Sequence, residues 1–240
     1  MIIVSSGFPK SASTLLFLYT EEILKRSGKR SAQLKFRKKY PEGFIHRFGF
    51  FNSIYLLLLN VFSGSVVVKT HSGPTFFLRL LIQMKLAKAY YSVRDPRDVI
   101  LSALDHGEKA RENGITSPAD NAFVLYHNKE DLYSSLQLHF GRFIAWKKMP
   151  DVLLTEYEKL ISEPIVELKK ILVLLNWQSE EKSLPSIIET FALNRSQTKN
   201  FNKGELSRFK NDFSEKEISE IENKIGTVIT GMGYSLTGNS

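Results

Sequence analysis

Four short runs of β-branched and aromatic residues punctuate the first two-thirds of the chain, with helix-length segments between them. They cover residues 1–5, 65–69, 88–93 and 151–155. Each run is mostly apolar rather than alternating, which is the pattern of a strand buried on both faces of a parallel sheet. Segments 13–27, 44–62, 74–85, 96–105 and 120–149 carry helical patterns between or beside them. Parallel strands need crossover connections, so this alternation predicts an α/β fold. After residue 155 the pattern is helical throughout, over 164–176, 183–193 and 214–232. Ser214 with Glu217 marks the start of the last helix as a capping box. Loops are expected at 28–43, 107–119 and 196–212.

A length of 240 residues with 42% hydrophobic content supports one domain, 1–240, with a sizeable core. The chain has no cysteine, which excludes disulfide scaffolds, thiol catalysis and Cys-based zinc sites. None of its five histidines pairs with another histidine or a carboxylate at ligand spacing, so no metal site is expected. The net charge of +8 favours anionic partners without choosing among them. The first residues lack the basic start and long apolar stretch of a secretion signal. The longest apolar run, 54–62, is interrupted by Asn60 and falls far short of the roughly 20 residues that span a bilayer. A cytoplasmic protein with no membrane partner is therefore expected.

The chemistry gathers where the strands end. The first strand runs directly into Gly7-Phe8-Pro9-Lys10-Ser11-Ala12-Ser13-Thr14. Strand, tight turn with lysine and hydroxyls, then helix start is the layout of a phosphate cradle, because first-turn N–H groups and the helix dipole both attract an anion. The plain alternative is an N-capped helix with a stray lysine. The lysine falls in the middle of the segment, whereas the nucleotide-triphosphatase loop needs Gly-Lys-Ser/Thr at its end. The second strand ends in Lys69-Thr70-His71, a cation and a base two residues apart, which point the same way in an extended chain. The third strand leads into Arg94-Asp95-Pro96-Arg97-Asp98-Val99-Ile100-Leu101-Ser102. Pro96 sits where a helix would start, Ser102 falls two turns in, and Arg94 suits bidentate capture of a phosphate. The plain reading of Arg97 is a surface ion pair with Asp95 or Asp98, and Arg94 has the same alternative.

Taken in order, these segments resemble the sulfotransferases that use 3′-phosphoadenosine 5′-phosphosulfate (PAPS). That family carries a Pro-Lys-Ser-Gly-Thr-Thr loop, matched by Pro9-Lys10-Ser11-Ala12-Ser13-Thr14, and a Lys-Thr-His element, matched by Lys69-Thr70-His71. Its 3′-phosphate element, Arg-Asn/Asp-Pro-x-Asp-Val-x-x-Ser, is matched throughout residues 94–102. A strand ending in Tyr-Glu-x-Leu is matched by Tyr157-Glu158-Lys159-Leu160, and an Arg-Lys-Gly element by Asn202-Lys203-Gly204. The resemblance implies a P-loop-like three-layer fold with a central, mostly parallel sheet flanked by helices. It implies sulfuryl transfer from PAPS, without metal, to a hydroxyl or amine of a small-molecule acceptor, leaving adenosine 3′,5′-bisphosphate. His71 would be the base, with Lys10 and Lys69 stabilising charge. Lys10, Ser11, Ala12, Ser13, Thr14, Arg94, Ser102, Tyr157, Asn202, Lys203 and Gly204 would hold the nucleotide. The acceptor pocket is expected from Phe8, residues 44–51 and the 107–119 loop.

The departures also make predictions. Ala12 replaces a glycine, so the turn is expected to avoid positive φ there. Leu15 stands where cytosolic relatives carry a tryptophan beside the adenine. Asn202 replaces an arginine, and the dimer motif of vertebrate relatives fails. A nucleotide kinase is the rival enzyme, but it would need a late loop lysine and a magnesium-binding aspartate, and would leave His71 without a role. A basic RNA-binding domain is the rival outside enzymology. No run interleaves aromatics and basics on a strand face, so no nucleic-acid partner is expected.

Overall fold

The computed structural model describes residues 1–32, 43–118, 121–193 and 205–237. The chain divides into two compact units, one formed by residues 1–93 and 142–197 and the other by 94–141 and 198–240. In chain order, the first unit opens with β1 (Ile2–Gly7), α1 (Ser13–Arg26), α2 (Phe50–Ser63), β2 (Val66–Thr70), α3 (Phe76–Gln83) and β3 (Ala87–Val93). The second unit contributes α4 (Pro96–Glu112) and most of α5 (Glu130–Lys147), whose last residues belong to the first. The first unit resumes with β4 (Val152–Glu156), α6 (Tyr157–Ser162), α7 (Pro164–Leu175) and α8 (Leu184–Leu193). The second closes with α9 (Phe209–Asp212) and α10 (Glu215–Gly231).

The four expected strands form one sheet in the order β2-β1-β3-β4, every neighbouring pair parallel. Consecutive side chains leave opposite faces of a strand, and Tyr90 and Tyr91 show the consequence. Tyr90 joins Ile3 and Val67 in a core with Leu16, Ile23, Leu168 and Ile171, from α1 and α7. Tyr91 turns the other way, its ring 5.8 Å from Phe143 and 6.0 Å from Trp146 of α5. Burial of large side chains on both faces explains why the strands read as continuous apolar runs. The expected α/β architecture, a parallel central sheet flanked by helices, is therefore observed. Among the described residues no helix is long and apolar enough to cross a membrane.

Two boundaries differ from expectation for identifiable reasons. The segment expected to be helical from residue 44 becomes helix only at Phe50. Before that it runs along β2, with the Ile45 N–H donating to the Lys69 carbonyl at 2.8 Å and the Lys69 N–H to the Gly43 carbonyl at 2.7 Å. Strand-like pairing there outcompetes a helix. Conversely, α4 continues through Gly107, which the sequence suggests as the start of a loop. A Cβ on Gly107 would lie 2.3 Å from the Phe123 carbonyl oxygen. This glycine permits close approach of backbone rather than ending the helix.

The second unit is held by buried ion pairs. Asp95 caps α4, accepting from the Arg97 N–H at 2.9 Å, and Pro96 takes the first helical position as expected. The Arg97 guanidinium forks onto Asp95 at 3.0 and 2.7 Å and stacks 4.0 Å above the Phe209 ring. The ion pair expected of Arg97 is present but buried, not on the surface. Arg208 donates from Nε and Nη2 to the one Asp212 Oδ2, at 3.1 and 2.6 Å, and reaches Asp105 at 2.8 Å. Ser214 and Glu217 form the predicted capping box of α10.

Candidate active site

In the first unit the parallel registers align the strand ends. Gly7 pairs with Ser92, and Ser6 with Thr70 and Tyr91, so the loops after β1, β2 and β3 leave from one edge. Tyr157 follows β4 at the same edge and is buried. The crevice beyond this edge is where open α/β sheets bind ligands.

The loop after β1 is drawn tightly against β3. A Cβ on Gly7 would lie 2.2 Å from the Ser92 hydroxyl oxygen and 2.8 Å from the Ser13 Cβ, so only glycine fits. The Ser11 hydroxyl is completely buried, 2.8 Å from the Ser92 hydroxyl, 3.0 Å from the Ser92 carbonyl and 2.5 Å from the Phe8 carbonyl. Its place is therefore inside the turn, where it fixes the loop to the sheet. Phe8 is likewise fully buried, a core residue more than an acceptor-facing one.

Ala12 corrects a sequence expectation. It adopts φ 61° and ψ 21°, the left-handed conformation it was expected to avoid, and Lys10 has φ 58°. The tight turn demands this geometry whatever residue is present, and alanine bears a steric penalty of about 1–2 kcal/mol there. Ala12→Gly should raise stability by about 1 kcal/mol after the glycine's extra unfolded-state freedom is deducted. That corresponds to a melting temperature higher by roughly 2–4 °C. An unchanged or lower melting temperature would show that the alanine is unstrained.

Helix α1 opens toward the crevice without a side-chain cap and without an acidic residue in its first turn. Uncapped N–H groups at a helix start attract an anion. Lys69 reaches the same turn, its ammonium donating to the Thr14 hydroxyl. Burial lowers the Lys69 pKa from 10.5 to about 8. A nearly buried cation against an uncapped helix start is the chemistry of a site built for a negative group, and the cradle fits a phosphate or sulfate. Ser13 is buried, its carbonyl accepting from the Ser5 hydroxyl at 3.2 Å.

His71 falls one residue past the end of β2, with Nδ1 3.0 Å from the Gly7 carbonyl oxygen. A carbonyl only accepts, so Nδ1 carries the proton in this contact and neutral His71 keeps its lone pair on Nε2. Residues not apparent from motifs secure this strand end. Arg142 donates to the His71 carbonyl at 3.2 Å, and the Trp146 indole to the Ser72 carbonyl at 3.0 Å. Neither has a sequence signal beyond lying on a helix. Phe44 places its ring 6.0 Å from the His71 ring, within the 44–51 stretch expected near an acceptor.

In the second unit, Arg94 and Ser102 are both buried. Arg94 lies 3.6 Å from the Asp98 carboxylate and donates weakly, at 3.4 Å, to the Glu205 carbonyl. Asp98 is one turn before Ser102 and accepts from the Phe209 N–H at 3.0 Å. Burial raises the Asp98 pKa, opposed by that N–H and by Arg94. The Arg94–Asp98 separation is longer than either hydrogen bond of the fork that Arg97 closes on Asp95. Asn202, Lys203 and Gly204 lie outside the described residues.

The parallel sheet flanked by helices, with Lys69 and the uncapped start of α1 at its edge, defines a P-loop-like α/β fold. The chain belongs to the sulfotransferase family, whose domain model matches residues 7–227. The resemblance carried by the motifs is thus borne out. Among solved structures it is similar to the mouse sulfotransferase SULT7A1 complexed with PAP, at 18% identity and TM-score 0.64, over 99% of this chain and 86% of that one. It is also similar to retinol dehydratase in complex with androsterone and the inactive cofactor PAP, at 15% identity and TM-score 0.62, over 99% and 83% of the two chains. A retinol dehydratase complex with retinol and PAP gives 15% identity and TM-score 0.60, over 98% and 82%. These likenesses establish a shared fold. Comparison with curated protein sequences gives no match.

Proposed function

We propose that this chain transfers a sulfuryl group from PAPS to a hydroxyl or amine of a small-molecule acceptor. The observation that carries the reading is the convergence of Lys69 and the uncapped start of α1 beside His71 at one sheet edge. The neighbours bind PAP, the bisphosphate that such a transfer would release. When bound, the nucleotide supplies the sulfuryl group and a stable leaving phosphate.

The protein's own residues have separable tasks. First-turn N–H groups of α1, with Lys10 and Thr14, hold the 5′ end. Lys69 and Lys10 would neutralise negative charge on the bound phosphosulfate. His71 would accept the acceptor's proton at Nε2, because the Gly7 carbonyl holds the other nitrogen protonated. Ser11 and Ser92 keep the turn rigid, and Arg142 holds the His71 backbone in place. Arg94 and Ser102 would hold the 3′-phosphate, and Tyr157 would contribute to the adenine site.

The direct test is incubation with labelled PAPS and a panel of alcohols, phenols and amines. Label should appear in an acceptor with release of adenosine 3′,5′-bisphosphate. Arg94→Ala should weaken the bisphosphate by about 10- to 150-fold, the loss of a charge-assisted contact. The same change should affect adenosine 5′-monophosphate far less. Equal weakening of both ligands by calorimetry would remove Arg94 from the 3′-phosphate, and no transfer to any acceptor class would overturn the reading.

A further inference from the structure

Helix α2 wears its apolar side outward. Its fourteen residues carry no charge, and only Ser53 and Leu56 are buried. Its polar side chains serve the protein: Asn60 accepts from the Met1 ammonium, Ser53 donates to the Gly49 carbonyl, and Asn52 donates to the Arg47 carbonyl. Phe51 is 82% exposed, Phe62 70% and Val61 67%. The apolar face continues onto α3 through adjoining rings, Phe51 to Phe50 to Phe77 to Phe76, each step 5.5 Å between centroids. Phe76 at the far end is 72% exposed. Scattered exposed apolar residues need no explanation, but a continuous face marks a contact surface.

Three arginines among the described residues flank this face. Arg47 is exposed just before the helix, and Arg30 donates to the Phe62 carbonyl in its last turn. Arg79 is exposed on α3. Residues 43–94 contain six lysines and arginines and no aspartate or glutamate.

We propose that this face docks on the surface of an anionic phospholipid bilayer. Helix α2 would lie in the interfacial plane with its aromatic and aliphatic side chains at the acyl boundary and the flanking arginines at headgroup phosphates. At about 21 Å the helix is too short to span a bilayer, so it rests on one. A second copy of the chain fits less well, because a two-fold contact would set the flanking arginines against one another. A protein partner also fits less well, because the exposed residues of α2 offer hydrogen bonding only through Tyr55 and Ser63.

The experiment is flotation of the whole chain, without nucleotide, with vesicles of phosphatidylcholine alone or mixed with phosphatidylserine. Wild-type protein should float with the mixed vesicles, less so at high salt, and barely with the neutral ones. Phe51→Ser and Phe62→Ser should each lower partitioning by about tenfold. Arg47→Ser should lower it by about fivefold at low salt. These side chains are exposed, so melting temperatures should stay at the wild-type value. Any of four results would overturn the proposal: no flotation with either vesicle, equal flotation with both, partitioning unchanged in the phenylalanine variants, or a wild-type dimer that those variants break. Because no nucleotide is present, failure here leaves the sulfotransferase reading standing.

Discussion

His71→Ala should lower the turnover of sulfuryl transfer by about 10²–10⁴-fold, the usual loss for a positioned general base, and leave bisphosphate affinity close to wild type. The expectation rests on placement. His71 leaves the end of β2, its Nδ1 is anchored 3.0 Å from the Gly7 carbonyl oxygen, and its backbone is held by Arg142. Anchoring one nitrogen assigns the accepting role to the other. Nothing in this arrangement makes the imidazole a phosphate ligand, so removing it should spare nucleotide binding. An alanine variant within tenfold of wild type across the pH range would transfer the base role to another group.

The legibility of this site in the sequence follows from strand geometry. In a parallel sheet every strand's C-terminal end opens on one edge, so the segments that follow the strands are expected to leave from that edge once four strands are recognised. The registers observed at Gly7, Thr70 and Ser92 realise that expectation. What could not be read is which way each side chain turns. Ser11 looks like a phosphate ligand in the motif, yet its hydroxyl is spent on Ser92 and Phe8 inside the turn. Ala12 sits in a left-handed conformation because chain closure outweighs the preference of a single residue. Gly107 reads as a loop opener, but its lack of Cβ accommodates a carbonyl from another segment. Arg97 reads as a surface ion pair, and only the packing of Phe209 and Glu222 around it shows that the pair is buried. The contacts of Ser11 with Ser92, Gly107 with Phe123 and Arg97 with Phe209 are made at long sequence separation, which a local pattern does not encode.

Lys69→Met should separate stability from binding in opposite directions. Burial holds the Lys69 pKa at about 8, against 10.5 when exposed. The unfolded chain therefore binds this proton more tightly than the folded one. Stability should rise as pH increases from about 8 to 10.5, and below about 8 the whole penalty is present. A depression of this size corresponds to about 3 kcal/mol. Methionine has no charge to desolvate, so the nucleotide-free variant should be more stable than wild type near neutral pH by up to that amount. The loss of the lysine's hydrogen bond to Thr14 reduces the gain. Binding should move the other way. An anion beside Thr14 favours the charged lysine, so wild-type affinity for the bisphosphate should decline as pH rises above about 8. The methionine variant should bind about 10- to 150-fold more weakly at pH 7 and lose this alkaline decline. Thermal melts and calorimetry between neutral pH and pH 10 measure both effects. A variant with lowered stability and unaltered affinity would make Lys69 a structural residue, and the anion site would then rest on Lys10 and the start of α1 without it.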